Sequence, residues 1–163
     1  MWKLDRLSAD HEPAVLEFET LNRRYFARTI SDRGDEFFER FHDGFQTTLA
    51  EQASGKRIFY VLVDERGSVV GRFNLYGVHD ETADVGYRLA EEVSGRGVAT
   101  SALSELCRLA LEQGLTRLTA KTSNENIASQ RVLEKSGFQV VGSTDVAGRP
   151  GIAYERVLRS EPG

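Results

Sequence analysis

The chain has 163 residues, with 40% hydrophobic and 28% charged side chains and a formal net charge of −4. This length and composition are typical of one soluble globular domain, which we predict over residues 1–163. The net negative charge argues against nucleic-acid binding, because contact with phosphates normally needs a basic face. No apolar run reaches the roughly 18 residues that span a bilayer and no secretion-signal pattern opens the chain, so we expect a cytoplasmic protein without a membrane partner.

Cysteine and histidine usage argues against a disulfide or a metal site. Cys107 is the single cysteine, so it has no partner for an internal disulfide. It lies on the apolar stripe of a predicted helix, which favours a core residue over a catalytic nucleophile. The three histidines have no metal-ligand spacing, so we expect no bound metal.

A strand and two helices are predicted in the first third of the chain. Residues 2–7 alternate like a strand, and Ser8 or Asp10 can cap the first helix. The second helix follows the polar turn at 31–34 and ends near residues 54–55. The apolar positions that define the two helices are Val15, Phe18, Leu21 and Tyr25 in the first, and Phe38, Phe41, Phe45 and Leu49 in the second.

The middle of the chain changes to a strand pattern. Residues 58–63 and 69–75 are rich in β-formers and are joined by an Asp-Glu-Arg-Gly turn, which predicts a hairpin. A third strand is predicted over 83–89, so that the three strands form an antiparallel meander. An amphipathic helix then begins at Val98 and ends at Gly114.

The remaining elements alternate between strands and a helix. A strand is predicted over 115–121, followed by a helix that Ser123 or Asn124 caps and that runs to Ser136. Further strands are predicted over 138–141 and 152–158. The order β-α-α-β-β-β-α-β-α-β-β predicts an α/β fold with one mixed, largely antiparallel central sheet and helices on both of its faces.

The segment VGYRLAEEVSGRGVAT at 85–100 carries the clearest chemical signal. A strand passes through a glycine-rich turn directly into a helix, and the N–H groups of a first helical turn favour an anion such as a phosphate. The donors would be Gly95, Gly97 and the amides of residues 98–100. Two glycines in such a turn are equally compatible with a purely conformational role. Neither the Walker pattern nor GxGxxG with a downstream acidic residue is satisfied.

This turn resembles the signature [RQ]xxGx[GA] with which the GNAT acyltransferases bind the pyrophosphate of coenzyme A. Here the signature reads SGRGVA over residues 94–99, with Ser94 in place of Arg or Gln. Thr100 extends the match to the GRGxAT of the RimJ and RimL type, which modifies the N-termini of ribosomal proteins. The second motif of that branch, NxxSxRVLEKxGF, is matched over residues 126–138, and the similarity runs from about residue 56 to 142.

The resemblance implies acetyl-CoA as co-substrate and assigns coenzyme contacts along both motifs. A backbone N–H near Leu89 would face the thioester oxygen, where the strand ending at Leu89 separates from the strand around Leu118. Alternatives are a plain helix cap for Asn126, a surface hydroxyl for Ser129 and a solvated charge for Arg131. The implied contacts are Leu89, Gly95, Arg96, Gly97, Val98, Ala99, Thr100, Asn126, Ser129 and Arg131.

Transfer to an amine also requires a base and a proton donor for the departing thiolate. Many GNAT enzymes place a tyrosine acid where this chain has Leu133, so Ser129 becomes the candidate donor, with water as the alternative. Asp84 is the first candidate for the base, because its predicted strand leads to the thioester position. The rival bases are Glu81, His79, Asp145 and water.

These implications predict direct acetyl transfer to a primary amine, with a protein N-terminal α-amine as the favoured acceptor. Polyamines, amino acids and amine-bearing antibiotics are alternative acceptors, and a non-catalytic sensor of acetyl-CoA is the alternative from another class. The first 55 residues agree with the family only in having two helices, and the tail after Gly142 looks shorter than usual. The acceptor is therefore the least defined partner. Homodimers are frequent among similar proteins, which leaves a homodimer as a further expectation.

Overall fold

The computed structural model describes residues 1–159, so residues 160–163 of the predicted domain lie outside the described residues. The strands are β1 Trp2–Arg6, β2 Ile58–Asp64, β3 Val69–His79, β4 Thr82–Leu89, β5 Arg117–Ser123, β6 Gln139–Val146 and β7 Arg149–Val157. The helices are α1 Glu12–Leu21, α2 Arg23–Ala27, α3 Asp35–Glu39, α4 Phe41–Ala53, α5 Val98–Glu112 and α6 Ile127–Lys135. None of the helices in this range is long and apolar enough to cross a membrane.

The strands form one seven-stranded sheet in the order β1-β2-β3-β4-β5-β7-β6. The pairs β1–β2, β5–β7 and β6–β7 are antiparallel, whereas β4 and β5 are parallel. The predicted α/β class with a largely antiparallel sheet is therefore confirmed. The chain divides into two compact units, one made of residues 1–74 and 87–95 and the other of residues 75–86 and 96 onward. The single domain over 1–163 stays a prediction.

In the first unit, each of the two predicted helices is divided into two. The break between α1 and α2 lies at Asn22, whose φ of −102° and ψ of 7° leave the helical range and whose side-chain amide donates to the Phe18 carbonyl at 2.9 Å. The break between α3 and α4 lies at Arg40, with φ −109° and ψ 30°. Leu21, the last residue of α1, is 75% exposed, so its predicted place on the apolar face is wrong. Phe26 is buried instead and packs against Phe18.

A buried carboxylate joins four segments of the first unit. Glu19 of α1 is only 1% exposed, and its oxygens accept hydrogen bonds from three arginines. Arg33 donates two bonds of 3.1 Å, Arg72 of β3 donates one of 3.0 Å and Arg88 of β4 donates one of 3.4 Å. Burial opposes ionisation of Glu19, but the charges of the arginines and the hydrogen bonds from Arg33 outweigh it and lower the pKa of the carboxyl.

In the second unit, α5 supplies most of the helical core. Its buried residues are Ala99, Ala102, Leu103, Leu106, Cys107 and Ala110. The predicted core position of Cys107 is therefore confirmed. Burial raises the pKa of this thiol, against the opposing effect of Arg156, which makes Cys107 a poor nucleophile.

Several predicted boundaries in the second unit are displaced. β5 runs over Arg117–Ser123 and β7 over Arg149–Val157, instead of 115–121 and 152–158. Two further differences concern α6 and β6. Helix α6 begins at Ile127 and is capped by Asn126, so neither Ser123, which ends β5, nor Asn124 is the cap. The strand predicted over 138–141 is longer, because β6 continues to Val146 and forms a hairpin with β7. The connecting turn contains Ala147 and Gly148, which both have positive φ angles.

We predict that Glu19→Gln destabilises the protein by about 3–5 kcal/mol at neutral pH, since it leaves buried guanidinium groups without a counter-charge. Because the pKa of Glu19 is lowered from 4.5, its stabilising effect is present above that value and is lost as the pH falls through the lowered pKa. Chemical denaturation should therefore show a difference from the wild type that shrinks in acid. The control is Glu17→Gln, an exposed position on the same helix, which should change stability little. Equal stability of the two variants would contradict this account.

Candidate active site

The glycine-rich turn before α5 has the conformation that the sequence predicts. Gly95 and Gly97 have φ angles of +76° and +75°, in the left-handed region that favours glycine, and Gly97 is the N-cap of α5. A Cβ atom built on either glycine would meet no other atom within 4 Å. The backbone at both positions therefore faces open space. The first N–H groups of α5, from Val98 onward, have no partner within the helix, and such groups favour an anion.

The residues just before the turn are held by α1 and α2 within the first unit. The Tyr25 hydroxyl lies 3.1 Å from the Ser94 hydroxyl, which also donates to the Ala90 carbonyl at 3.0 Å. The side-chain oxygen of Asn22 accepts a 3.0 Å bond from the Glu91 amide. Ser94, the position that departs from the family signature, is thus a structural contact. The sequence does not indicate these contacts, because Tyr25 and Asn22 each lie 69 positions before their partners, Ser94 and Glu91.

The second motif forms the start of α6. The side-chain oxygen of Asn126 accepts the Ser129 amide at 3.1 Å, so Asn126 caps the helix, as the simpler interpretation of this residue predicts. Ser129 is half-buried in the first turn, and Arg131 is exposed. Leu133 is 1% exposed and belongs to the core, so this position supplies no acid. The coenzyme contacts of Asn126, Ser129 and Arg131 stay predictions.

The candidate base Asp84 lies where the parallel pairing of β4 and β5 ends. The ladder runs from Thr82–Arg117 to Asp84–Thr119, although β4 continues to Leu89. Asp84 is exposed, and its carboxylate accepts a hydrogen bond from the Thr119 hydroxyl. This bond fixes the carboxylate but uses one of its acceptor positions, so the role of Asp84 as base stays a prediction.

The rival bases have structural contacts of their own. Asp145 accepts the Gly148 amide at 2.8 Å and so supports the β6–β7 turn. His79 pairs with Asp80 at 3.1 Å, and both side chains are exposed. The carbonyl of Glu81 accepts the Thr116 amide at 2.8 Å. As for Asp84, these contacts leave the role of each rival base a prediction.

The predicted site residues are divided between the two units. Leu89 and Gly95 belong to the first unit, and Leu89 is the last, half-buried residue of β4. Asp84, residues 96–100 and the α6 residues belong to the second unit, where α5 and α6 pack against each other.

Sequence reasoning also missed a buried phenol in the second unit. Tyr154 of β7 is 1% exposed, and its hydroxyl has no hydrogen-bond partner among residues 1–159. Burial, together with the charge of Glu134, raises the pKa of Tyr154. Tyr154 lies outside both motifs, so nothing in the sequence indicates that its hydroxyl is buried.

Three features together define an α/β fold of the acyltransferase class. They are the seven-stranded mixed sheet, the left-handed glycine turn at the start of α5 and the capped α6. Residues 3–139 match the sequence profile of the Acetyltransferase (GNAT) domain. The chain therefore belongs to the GNAT acetyltransferase family, as its two motifs predict.

Relatives and solved structures agree with this assignment. The putative phosphinothricin acetyltransferase YwnH of Bacillus subtilis is 33% identical over 102 residues, and the match spans 60% of each chain, less than two thirds of that relative. The ribosomal-protein-S5-alanine acetyltransferase of Vibrio fischeri has a TM-score of 0.89 at 18% identity, covering 99% of this chain and 96% of that one. Mycobacterium smegmatis RimJ, in complex with CoA-disulfide, has a TM-score of 0.82 at 22% identity, covering 96% and 81%. At these identities the two structures show a shared fold.

We predict that Gly97→Val abolishes acetyl-CoA binding in a protein that still folds, because the branched side chain occupies the open space at the start of α5. The matched control is Gly114→Val, at the other end of α5, which also has a positive φ and no neighbour within 4 Å of a Cβ. Both variants should lose about 1–3 kcal/mol of stability through backbone strain.

Thermal unfolding with and without acetyl-CoA separates the two effects. At about 100 times its dissociation constant, a ligand that binds only the folded state adds about 2.7 kcal/mol. This increment should persist in Gly114→Val and vanish in Gly97→Val. An equal increment in the two variants would show that the turn is only conformational.

Proposed function

We propose that the protein is an acetyl-CoA-dependent N-acetyltransferase that moves an acetyl group directly onto a primary amine. The observation that carries the proposal is the left-handed glycine turn, open above Gly95 and Gly97, at the start of a 15-residue helix in a GNAT chain. We also infer that the two units act as one acetyltransferase domain, because the family match over 3–139 draws on both.

The residues of the turn are suited to hold the pyrophosphate of acetyl-CoA. The backbone N–H groups of Gly97, Val98, Ala99 and Thr100 supply donors at the positive end of the helix dipole. Arg96 is exposed beside them and adds a positive charge. Arg131 is exposed on α6 and is the second candidate for a phosphate contact.

Bound acetyl-CoA supplies the activated acetyl group, and the chain supplies polarisation and proton transfer. The backbone N–H at Leu89 would donate to the thioester oxygen, and the Ser129 hydroxyl would donate to the departing sulfur. Asp84 would accept the proton of the amine, directly or through water. The route needs no acyl-enzyme, in keeping with the burial and raised pKa of Cys107.

A protein N-terminal α-amine is the acceptor that we propose. The support is the fold shared with an acetyltransferase named for ribosomal protein S5 alanine and with RimJ. A small-molecule amine is the second candidate, because YwnH is named as a putative phosphinothricin acetyltransferase. Cytoplasmic location and a homodimer stay predictions.

The function is tested by thiol release from acetyl-CoA across a panel of N-terminal peptides, amino acids, polyamines and aminoglycosides, with each product weighed by mass spectrometry. We expect amine-dependent release and a product one acetyl group heavier than its acceptor. Binding of acetyl-CoA without release for any amine would instead support a sensor. Absence of both binding and release would overturn the proposal.

Ser129→Ala should lower kcat by about tenfold or more while the Kd for acetyl-CoA changes little, because only a contact that strengthens in the transition state is lost. The control is Ser104→Ala, which removes an exposed hydroxyl on α5 and should leave both constants unchanged. Steady-state kinetics and calorimetry measure the two quantities separately. A wild-type kcat in Ser129→Ala would assign the hydroxyl to the helix surface alone.

A further inference from the structure

A cavity of about 320 Å³ lies in the second unit, at the end of the β5–β7 ladder where Ser123 pairs with Gly151. This volume falls within the range of small-molecule sites, roughly 300–1,000 Å³. None of the candidate coenzyme residues is among the described residues that line the cavity. We call it the β5–β7 cavity. Its lining residues are Ser123, Asn124, Glu125, Arg149 and Pro150.

Hydrogen bonds fix the backbone around the β5–β7 cavity. The Asn124 amide donates to the Pro150 carbonyl at 3.0 Å and so joins the two sides. The Gln130 side chain of α6 donates to the carbonyls of Ser123 and Asn124, at 3.3 and 2.9 Å. A Cβ atom at Gly151 would lie 2.8 Å from the backbone of β5, so a side chain there would push the strands apart. The wall therefore has its shape before a ligand arrives, which reduces the entropy lost on binding.

Two opposite charges face each other at the rim of the cavity. A guanidinium nitrogen of Arg149 lies 3.6 Å from a carboxylate oxygen of Glu125, and the side chains are 69% and 83% exposed. This distance is longer than a hydrogen bond, so the two groups keep donors and acceptors for a ligand. Such an exposed pair contributes only about 0–1 kcal/mol, so a ligand can enter between the side chains at little cost. The same exposure lets a polypeptide continue from the cavity into solvent.

This pair suits a ligand that has a cation beside a hydrogen-bond acceptor. Glu125 attracts an ammonium group, and the guanidinium group of Arg149 donates hydrogen bonds to an oxygen. In a peptide N-terminus the α-amine and the first carbonyl are bonded to the same carbon atom, so both groups reach the pair together. A polyamine, an aminoglycoside or a lysine ε-amine has no carbonyl beside its amine. The further positive charges of the first two would also be repelled by Arg149.

The cavity adjoins the first turn of α6. Glu125 directly precedes Asn126, the cap of this helix, and Asn126 accepts the Ser129 amide at 3.1 Å. An amine held at Glu125 is therefore close, along the chain, to the hydroxyl that we propose as donor to the departing sulfur. The attacking nitrogen and the departing sulfur share one carbon atom in the tetrahedral intermediate, so the acceptor and the proton donor must lie close together.

We propose that the β5–β7 cavity is the acceptor site, in which Glu125 binds the α-ammonium group and Arg149 binds the adjacent carbonyl oxygen. The acceptor is thus an α-amine beside a carbonyl, and not a polyamine or a lysine ε-amine. This inference rests on the proposed acetyltransferase function and narrows its acceptor class. A peptide N-terminus and a free amino acid share the recognised group, and the experiment distinguishes the two sources.

The first test compares alaninamide with isopropylamine, which has a methyl group in place of the carboxamide. Thiol release from acetyl-CoA gives kcat/KM for each acceptor, at equal concentrations of the neutral amine. The wild type should prefer alaninamide by at least about tenfold, the range expected for a hydrogen bond to a charged group. Equal rates with the two amines would overturn the proposal. A second pair, alanine and a peptide that begins with alanine, shows which source of the recognised group is used.

Variants of Arg149 assign the preference to the cavity. In Arg149→Gln the ratio of the two kcat/KM values should fall by about tenfold, because only alaninamide loses a contact. The intrinsic reactivities of the amines cancel in this comparison, and KM for acetyl-CoA should be unchanged. Arg149→Lys keeps a charged donor and should lie between the wild type and Arg149→Gln. An unchanged ratio in Arg149→Gln would contradict the inference.

Two further variants complete the comparison. Glu125→Gln should raise KM for both amines and leave their ratio unchanged, because each amine loses the same partner. The matched control is Arg108→Gln, which removes an exposed, ion-paired arginine of α5 outside the cavity and should leave all constants unchanged. An equal change of the ratio in Arg108→Gln and Arg149→Gln would contradict a role of the cavity.

Calorimetric binding of alaninamide and isopropylamine, with coenzyme A present, separates this inference from the proposed function because binding needs no turnover. Selective binding of alaninamide that Arg149→Gln removes, without acetyl transfer to any amine, would contradict the acetyltransferase function and support the cavity as a binding site. Acetyl transfer with a preference that Arg149→Gln does not change would support the function and overturn the assignment of the cavity.

Discussion

The start of α5 depends on two glycines with left-handed backbone, and the second unit depends on α5. A residue with a side chain would be strained by about 1–2 kcal/mol at each of these positions. With glycine, the chain turns within residues 95–97, and α5 begins at Val98 with its apolar side directed into the core. The same turn leaves the first N–H groups of the helix directed outward. The glycines that start the helix therefore also form the proposed anion site, and a Cβ at either glycine would meet no atom within 4 Å.

The first unit depends on a different interaction, the ionised carboxylate of Glu19. Burial of one charge in the protein interior costs several kcal/mol unless partners compensate for it. Here one carboxylate draws together α1, β3, β4 and the segment that carries Arg33. A neutral side chain of similar shape at position 19 would leave the same guanidinium groups without a counter-charge. Few residues other than Glu can therefore occupy this position.

The periodic parts of the sequence predicted the fold, because a core-facing strand or helix repeats its apolar residues at a fixed interval. β2, β4 and α5 begin within one residue of the predicted positions. The breaks at Asn22 and Arg40 were not predictable in this way, because neighbouring residues keep helical spacing through them. The cap of α6 was misplaced because Ser123, Asn124 and Asn126 all have suitable side chains. Only the fold shows that Asn126 bonds to the Ser129 amide.

The glycine turn and the Glu19 group were predictable to different extents. The proposed coenzyme residues lie in short motifs, so residues 95–100 could be named as candidates from the sequence. The Glu19 group could not, because its members come from separate elements and meet only in the folded chain. Charged residues at 72 and 88, within strands of β-forming residues, were the available signal. Asp145, a rival base, accepts the Gly148 amide in the β6–β7 turn, and its role as a base stays a prediction.

We infer that the turn before α5 and the start of α6 receive acetyl-CoA. Amide hydrogen exchange read by mass spectrometry, with and without saturating acetyl-CoA, tests it most directly. We expect slower exchange in peptides that contain residues 95–100 and 126–131, with little change in the β6–β7 turn and little effect from ATP at the same concentration. Unchanged exchange in both segments at saturation, or equal protection by ATP, would contradict it.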